Sequence, residues 1–315
     1  MRLTPTLAWK ILASALVLAW AGWALPRQFS GASWAGLKAA LLAQPGLNLA
    51  AAGALTALSF AALAMYDQLA SSRVAPGRVP ARVAWLAGAA GNAVSNTLGF
   101  HALTGTVVRI HVYRRFGLST REAARIIALS WLALGLGFLA MLALAELVQA
   151  VQQPAHAPSA LAAGVGITAG LAGLVAWLGR ADDRQLTCFG FNQPLPSARL
   201  ALLQMLIGAV ESAAAIGALY ILLPPDLRPP YSVFSVACIA AVTAGIAAHV
   251  PGGLGVFEAG ITAFLSGAGR VDLLAALMTY RFIYNVLPFG LSVLALALFN
   301  RGAATRHLSS MADSV

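Results

Sequence analysis

The chain has 315 residues, 60% of them hydrophobic and only 10% charged, with a mean hydropathy of +0.80. This excludes an ordinary soluble domain and points to a polytopic membrane protein. A net charge of +10, with Lys10 and Lys38 the only lysines, reads in such a chain as loops facing anionic lipid on the cytoplasmic side and not as nucleic-acid binding.

Each span needs about 20 apolar residues. Residues 7–25 form the first expected span, with Trp9, Trp20 and Trp23 suited to the interfaces. Its start resembles a signal peptide but is read as a retained helix. Residues 46–65 form the second, ending at Tyr66-Asp67 and a basic loop with Arg73, Arg78 and Arg82. The stretch 81–100 looks like a span, yet 91–105 holds Asn92, Asn96, Thr97, His101 and Thr104, too polar for lipid. Arg109, Arg114, Arg115, Arg121 and Arg125 follow. A full crossing would put this cluster opposite Arg73–Arg82, against the positive-inside rule, and a second crossing has too few residues before Arg114. A re-entrant hairpin resolves both problems. It enters near Arg82, turns within 92–104 and returns near Arg109.

Ser119, Thr120 and Glu122 read as the start of a long span, 120–147. Residues 148–159 carry no Arg or Lys and form an external loop, and 160–178 returns to Arg180 and Arg184. Residues 199–223 cross again with Glu211 in their middle, and 224–230 is a Pro-rich turn. Residues 231–248 go in and meet His249-Val-Pro-Gly-Gly-Leu-Gly-Val-Phe-Glu-Ala-Gly260, which no regular helix accommodates. Residues 256–266 are too short to span, so 231–266 is a second hairpin, entered from outside. Residues 271–299 form the last span, followed by a short cytoplasmic tail at 301–315.

The expected fold is all-α: one transmembrane unit over 1–315, with about six full spans and two re-entrant hairpins, eight hydrophobic segments in all. Most arginines then fall inside, with Arg27, Lys38, Arg228 and Arg270 outside, which puts both termini in the cytoplasm. The hairpins enter from opposite faces and are each flanked by full spans, an inverted repeat of the kind secondary transporters use. Broken backbone at membrane depth survives only where protein buries it or it lines a wet cavity.

The candidate substrate-binding groups cluster at the two breaks. A helix beginning after Gly252, Gly253 and Gly255 would aim free N–H groups and its positive dipole end at an anion such as a phosphate. Arg281 lies about 15 Å into the last span, with Tyr280 and Tyr284 near its face. Its guanidinium fits a phosphate bidentately or, alternatively, pairs structurally with Glu258. The polar residues of the first hairpin mainly satisfy its backbone, a minority lining the path, and Arg109 opens the basic loop. Glu211 is a carboxylate within a span, which normally has a function, whereas Asp67 caps a helix end or pairs with a nearby Arg. No metal-ligand spacing, cofactor loop, nucleophile motif or ATP-binding motif occurs, and Cys188 and Cys238 form no disulfide framework.

Gly91-Asn92 with Leu98-Gly-Phe-His-Ala-Leu-Thr-Gly105, then Arg109 and Gly117-Leu-Ser119, resembles the first signature of the lysylphosphatidylglycerol synthase transmembrane region, the flippase-like domain also called the UPF0104 group. Val250-Pro-Gly-Gly-Leu-Gly-Val-Phe-Glu258 and Tyr280-Arg-Phe-Ile-Tyr-Asn-Val-Leu-Pro288 resemble its second and third signatures. The resemblance implies movement of a phospholipid, aminoacylated phosphatidylglycerol or another polar lipid, between leaflets of the bacterial inner membrane. It also implies no aminoacyl transfer, since the synthase domain of bifunctional relatives is not in this sequence. The expected partners are membrane phospholipids, with a homodimer or a separate lipid-synthesising enzyme as protein partners. Two alternatives stay open: an enzyme or enzyme subunit acting on lipid headgroups, and an ion-coupled transporter of a small solute.

Overall fold

Ser119 and Glu122 start the longest helix. The Ser119 hydroxyl accepts from the Glu122 N–H (3.2 Å), and the Glu122 carboxylate accepts from the Ser119 N–H (2.7 Å), so two of the helix's orphan donors are satisfied reciprocally. The computed structural model describes residues 33–99, 101–180, 185–188, 191–247 and 251–312. The expected first span at 7–25 lies outside them, as does His249. The helices are α1 (Trp34–Leu42), α2 (Gly46–Val74), α3 (Ala81–Leu98), α4 (His101–Arg114), α5 (Thr120–Gln152), α6 (Ala157–Gly179), α7 (Ala198–Tyr220), α8 (Tyr231–Ala247), α9 (Val256–Phe264), α10 (Val271–Arg281) and α11 (Leu287–Ala312). Two short antiparallel strands, β1 (Gln185–Cys188) and β2 (Phe191–Pro194), pair Gln185 with Pro194 and Cys188 with Phe191.

Five helical stretches among the described residues are long and apolar enough to cross a membrane: Gly46–Val74, Thr120–Gln152, Pro154–Gly179, Ala198–Tyr220 and Val271–Arg301. The protein is an essentially all-helical, polytopic membrane protein. The last span is not regular. A π turn, Phe282–Val286, joins α10 to α11. Pro288 follows it, lacking the N–H that would bond the Tyr284 carbonyl and crowding that carbonyl, which disfavours a regular α-helix there. The helix beyond it continues through Ala312.

The two breaks within apolar sequence become two helical hairpins. At the first, Gly99 (φ 72) ends α3 and α4 begins at His101. At the second, α8 is followed by the turn Pro251–Gly253 and then α9. Their entry points are fixed by contacts at opposite ends of α5. At one end Arg78, from the α2–α3 loop, meets Glu122 (2.5 Å) and donates to the Gly117 carbonyl (2.8 Å), so the loops before and after the first hairpin lie side by side. At the other end Ser232, in the first turn of α8, donates to Gln152 (2.7 Å). The 33 residues of α5 separate these ends by about 50 Å, while α3 and α8 reach in by about 27 and 26 Å. Those lengths bring the tips together near the middle.

They do meet: a Cβ on Gly252 would touch the carbonyls of Thr97 (3.0 Å) and Asn96 (3.3 Å). Each hairpin carries its own apolar core, Val112, Tyr113, Ile126 and Leu129 around the first and Phe234, Leu219, Ile261 and Leu273 around the second. Between them α2, α5 and α7 cross closely, because Gly137 and Gly208 face each other with no room for a Cβ and the Tyr66 ring ends against both. Asp226 and Asp272 hold Arg270 at the Ser232 end (2.7 and 2.6 Å), and hydrogen bonds from Arg270 keep the Asp226 carboxyl below its usual range.

Candidate functional site

The break in the second hairpin is built from backbone conformations that glycine holds without strain: Gly252, Gly253 and Gly255 have φ of 59, 62 and 83°. Helix α9 starts one residue later. Its N-terminus is not left open as the sequence suggested. Glu258, in the first turn, accepts from the Gly255 N–H (2.7 Å), so the anion at this positive helix end is the chain's own carboxylate.

Arg281 reaches the same place from the end of α10. Its Nε donates to Glu258 (2.6 Å), Nη1 to the Gly252 carbonyl (2.5 Å) and Nη2 to the Gly253 carbonyl (3.3 Å). The guanidinium also lies over the Phe257 ring, 5.3 Å from its centroid. The ion-pair reading of Arg281 and Glu258 is therefore realised, and the arginine does more than pair: it supplies donors to carbonyls that the broken helix leaves unused. Tyr280 stacks between Phe257 and Tyr284, with centroids 6.1 and 5.2 Å away.

In the first hairpin the polar residues divide between two roles. Asn92 donates to the Gly88 carbonyl (2.9 Å) and Thr104 to the Gly99 carbonyl (2.8 Å), satisfying the hairpin's own backbone. Asn96 and Thr97 instead reach the last span. Asn285 donates through Nδ2 to the Asn96 carbonyl (3.0 Å), and the Thr97 hydroxyl donates to the Asn285 carbonyl (3.1 Å). The π turn thus carries the residue that fastens the first hairpin tip. His101 opens α4, and its side chain lies outside the described residues.

Arg109 does not stay with the basic loop. It is 3% exposed, and its Nε donates to both oxygens of Asp67 (3.0 and 3.1 Å), a residue with no exposure that also accepts from the Tyr113 hydroxyl (2.8 Å). Asp67 is thus the partner of an arginine 42 residues on.

Between the two tips lies a cavity of about 370 Å³. Of the expected site residues, Arg109, Arg281, Glu211, Asn92, Asn96, Gly252, Gly253, Tyr280 and Tyr284 line it, whereas Thr97, Thr104, Gly255 and Glu258 stand behind the wall. Most of the remaining lining is apolar, from α5, α7 and α8. The rim reaches Trp131 on α5 and Ile246 on α8, which are 37% and 50% exposed. Glu211 projects from α7 and is buried. Its Oε1 accepts from Ser59 (2.9 Å) and Tyr284 (3.4 Å), its Oε2 from Ser212 (3.1 Å), and Ser59 and Tyr284 also bond each other (2.9 Å). Sequence reasoning missed Ser59, Tyr66, Tyr113 and Ser212. Only the position of Asp67 and Tyr66 near a span's end hinted at them.

The chain is 30% identical over 256 residues to an uncharacterized protein of Synechocystis, covering 80% of this chain and 79% of that one. It belongs to the same family. It is also similar to the inner membrane protein YbhN of Escherichia coli, 28% identical over 205 residues, 63% of this chain and 64% of that protein. No family model matches the chain.

Proposed function

We propose that this member of the family moves a phospholipid between the leaflets of the bacterial inner membrane, the headgroup passing through the cavity between the hairpin tips while the acyl tails stay in lipid. The observation that carries the reading is the cavity itself, two helical hairpins meeting tip to tip over a space lined by Arg109 and Arg281. Its volume falls within the range of about 300–1,000 Å³ usual for ligand sites. A phosphate-bearing headgroup cannot cross about 30 Å of hydrocarbon alone, and guanidinium groups match phosphate oxygens bidentately. Arg281 uses three of its five N–H groups on the protein, leaving two for such a ligand. The exposed rim at Trp131 and Ile246 gives the tails a lateral way out.

The inner-membrane location is supported by the printed name of the Escherichia coli relative, and cytoplasmic termini by the distribution of arginines. The three signatures described above favour the lysylphosphatidylglycerol synthase transmembrane group and so aminoacylated phosphatidylglycerol or another polar lipid as cargo. We read the protein as a transporter, a reading supported by Glu258 being committed to Arg281 and to the Gly255 N–H and so withdrawn from acid–base work. The test is reconstitution of the purified protein into vesicles with fluorescent phospholipids. Headgroups should become accessible from both sides faster than in empty vesicles. No acceleration with any anionic or aminoacylated lipid would sink the reading.

A further inference from the structure

Glu211 is a buried carboxylate whose hydrogen-bond partners are all neutral hydroxyls. A buried carboxylate without a cation is costly, yet both arginines of the cavity are committed elsewhere, Arg109 to Asp67 and Arg281 to Glu258. Three further polar atoms on the cavity wall, the Tyr66 hydroxyl, Ser130 Oγ and Asn285 Oδ1, are buried without a hydrogen-bond partner among the described residues. Such orphaned groups in a native protein require a reason.

The groups facing Glu211 can be followed element by element. On α2 they are Ser59 and Tyr66, on α5 Ser130, on α8 Cys238, on the last span Tyr280 and Tyr284, and on its own helix Ser212. Helix α6 carries no ionisable side chain over Ala157–Gly179. A metal cation would call for several carbonyl and carboxylate oxygens. A single carboxylate among hydroxyls, each able to turn from donor to acceptor, suits a proton.

We propose that Glu211 is a proton-binding site whose protonation works the contact between the hairpin tips, coupling passage through the cavity to a proton. The link is short. Tyr284, which shares the Glu211 Oε1 with Ser59 and is bonded to Ser59, and Asn285, which holds Asn96 and Thr97 at the first tip, are consecutive residues of one π turn, and single π turns inside helices are frequent at functional sites. A proton taken up from one side converts the carboxylate to the neutral acid, whose O–H is now a donor. With the proton on Oε1, the hydroxyl it faces must turn from donor to acceptor or leave, and the Ser59–Tyr284 pair carries that change to Asn285. The same proton leaves to the other side when the carboxylate reforms, so each cycle moves one proton and breaks no other covalent bond.

The coupling half of this inference rests on the transport reading, whereas proton binding does not, and the experiment separates them. Infrared difference spectra of the reconstituted protein, recorded between acidic and alkaline buffers, should show a carboxylic-acid C=O band that titrates and that Glu211→Gln removes. In vesicles with a pH gradient, the ratio of fluorescent lipid between leaflets should shift by up to about tenfold per pH unit for one proton per lipid, and by nothing in Glu211→Gln. Tyr284→Phe keeps the ring stack. It should keep the titrating band and lose the gradient response, which preserves the test should Glu211→Gln fail to fold. Absence of a titrating band overturns the inference. Lipid movement in the parent protein that ignores the gradient overturns the coupling and leaves the transport reading standing. A titrating band with no movement of any lipid supports the proton site and refutes both transport and coupling.

Discussion

Arg281→Ala separates an ion pair from a brace. In the folded protein Arg281 neutralises Glu258 and also donates to the Gly252 and Gly253 carbonyls. Removing it leaves the buried Glu258 carboxylate with only the Gly255 N–H, a loss of about 3–5 kcal/mol for one partner of a buried pair. The two carbonyls lose about 1 kcal/mol each. The double variant Arg281→Met with Glu258→Gln removes the uncompensated charge, refills the space of the arginine stem and keeps an acceptor for Gly255. Only the carbonyl bonds remain lost, so it should sit about 2 kcal/mol below the parent. Arg281→Lys keeps the charge without the fork and should fall between the parent and the alanine variant. Denaturant unfolding in detergent reads all four proteins, and lipid flipping is measured on the same samples, where the alanine and double variants should both be inactive. A double variant as stable as the parent would refute the brace. Full flipping by a stable double variant would move the substrate site away from Arg281.

Asp67→Ala leaves Arg109 buried and unpaired, so it should cost about 3–5 kcal/mol, and Asp67→Asn with Arg109→Met should recover most of it in the same unfolding assay. Gly208→Leu puts a side chain against the Gly137 backbone and the Tyr66 hydroxyl. It should prevent close packing of α2, α5 and α7, seen as loss of a monodisperse peak in gel filtration. Single cysteines at 78 and 115, in a background lacking Cys188 and Cys238, should both label from the cytoplasmic side, and external labelling at 115 would overturn the first hairpin. Hydrogen bonds from Arg270 keep the Asp226 carboxyl below the ordinary aspartate value of 3.8. The stability this contributes is present above that value and is lost as pH falls through the lower folded one, so Asp226→Asn should reduce the acid-dependent part of the unfolding curve, leaving the share of Asp272 on the same arginine.

The sequence by itself determined the long apolar helices, where they break and which break is polar, but not the helix α1 or the strand pair β1–β2. Hydropathy sets the spans, Ser119 and Glu122 set a start, and Gly99, Gly252, Gly253 and Gly255 mark turns because the left-handed backbone there strains other residues. The arrangement of arginines pointed to the first hairpin, since a charged loop on the wrong side is costly whatever its tertiary contacts, and the glycine break followed by a segment too short to span pointed to the second. The partners of the charged groups were not legible in the same way. Arg281 and Glu258 could be named as a pair, but not the carbonyls that make the arginine a brace, nor the carboxylate that fills the expected anion site at the start of α9. Arg109 read as a loop residue because it lies among other arginines, and only the fold of α4 against α2 takes it inward to Asp67. Ser59 and Glu211 lie 152 residues apart, and no local pattern marks one serine among many in an apolar helix. Local propensity acts over a few residues, so it fixes elements and their ends. The pairing of buried polar groups depends on which helix faces meet, and that was decided by the close crossing at Gly137 and Gly208 and by the lengths that bring two hairpin tips to the same depth.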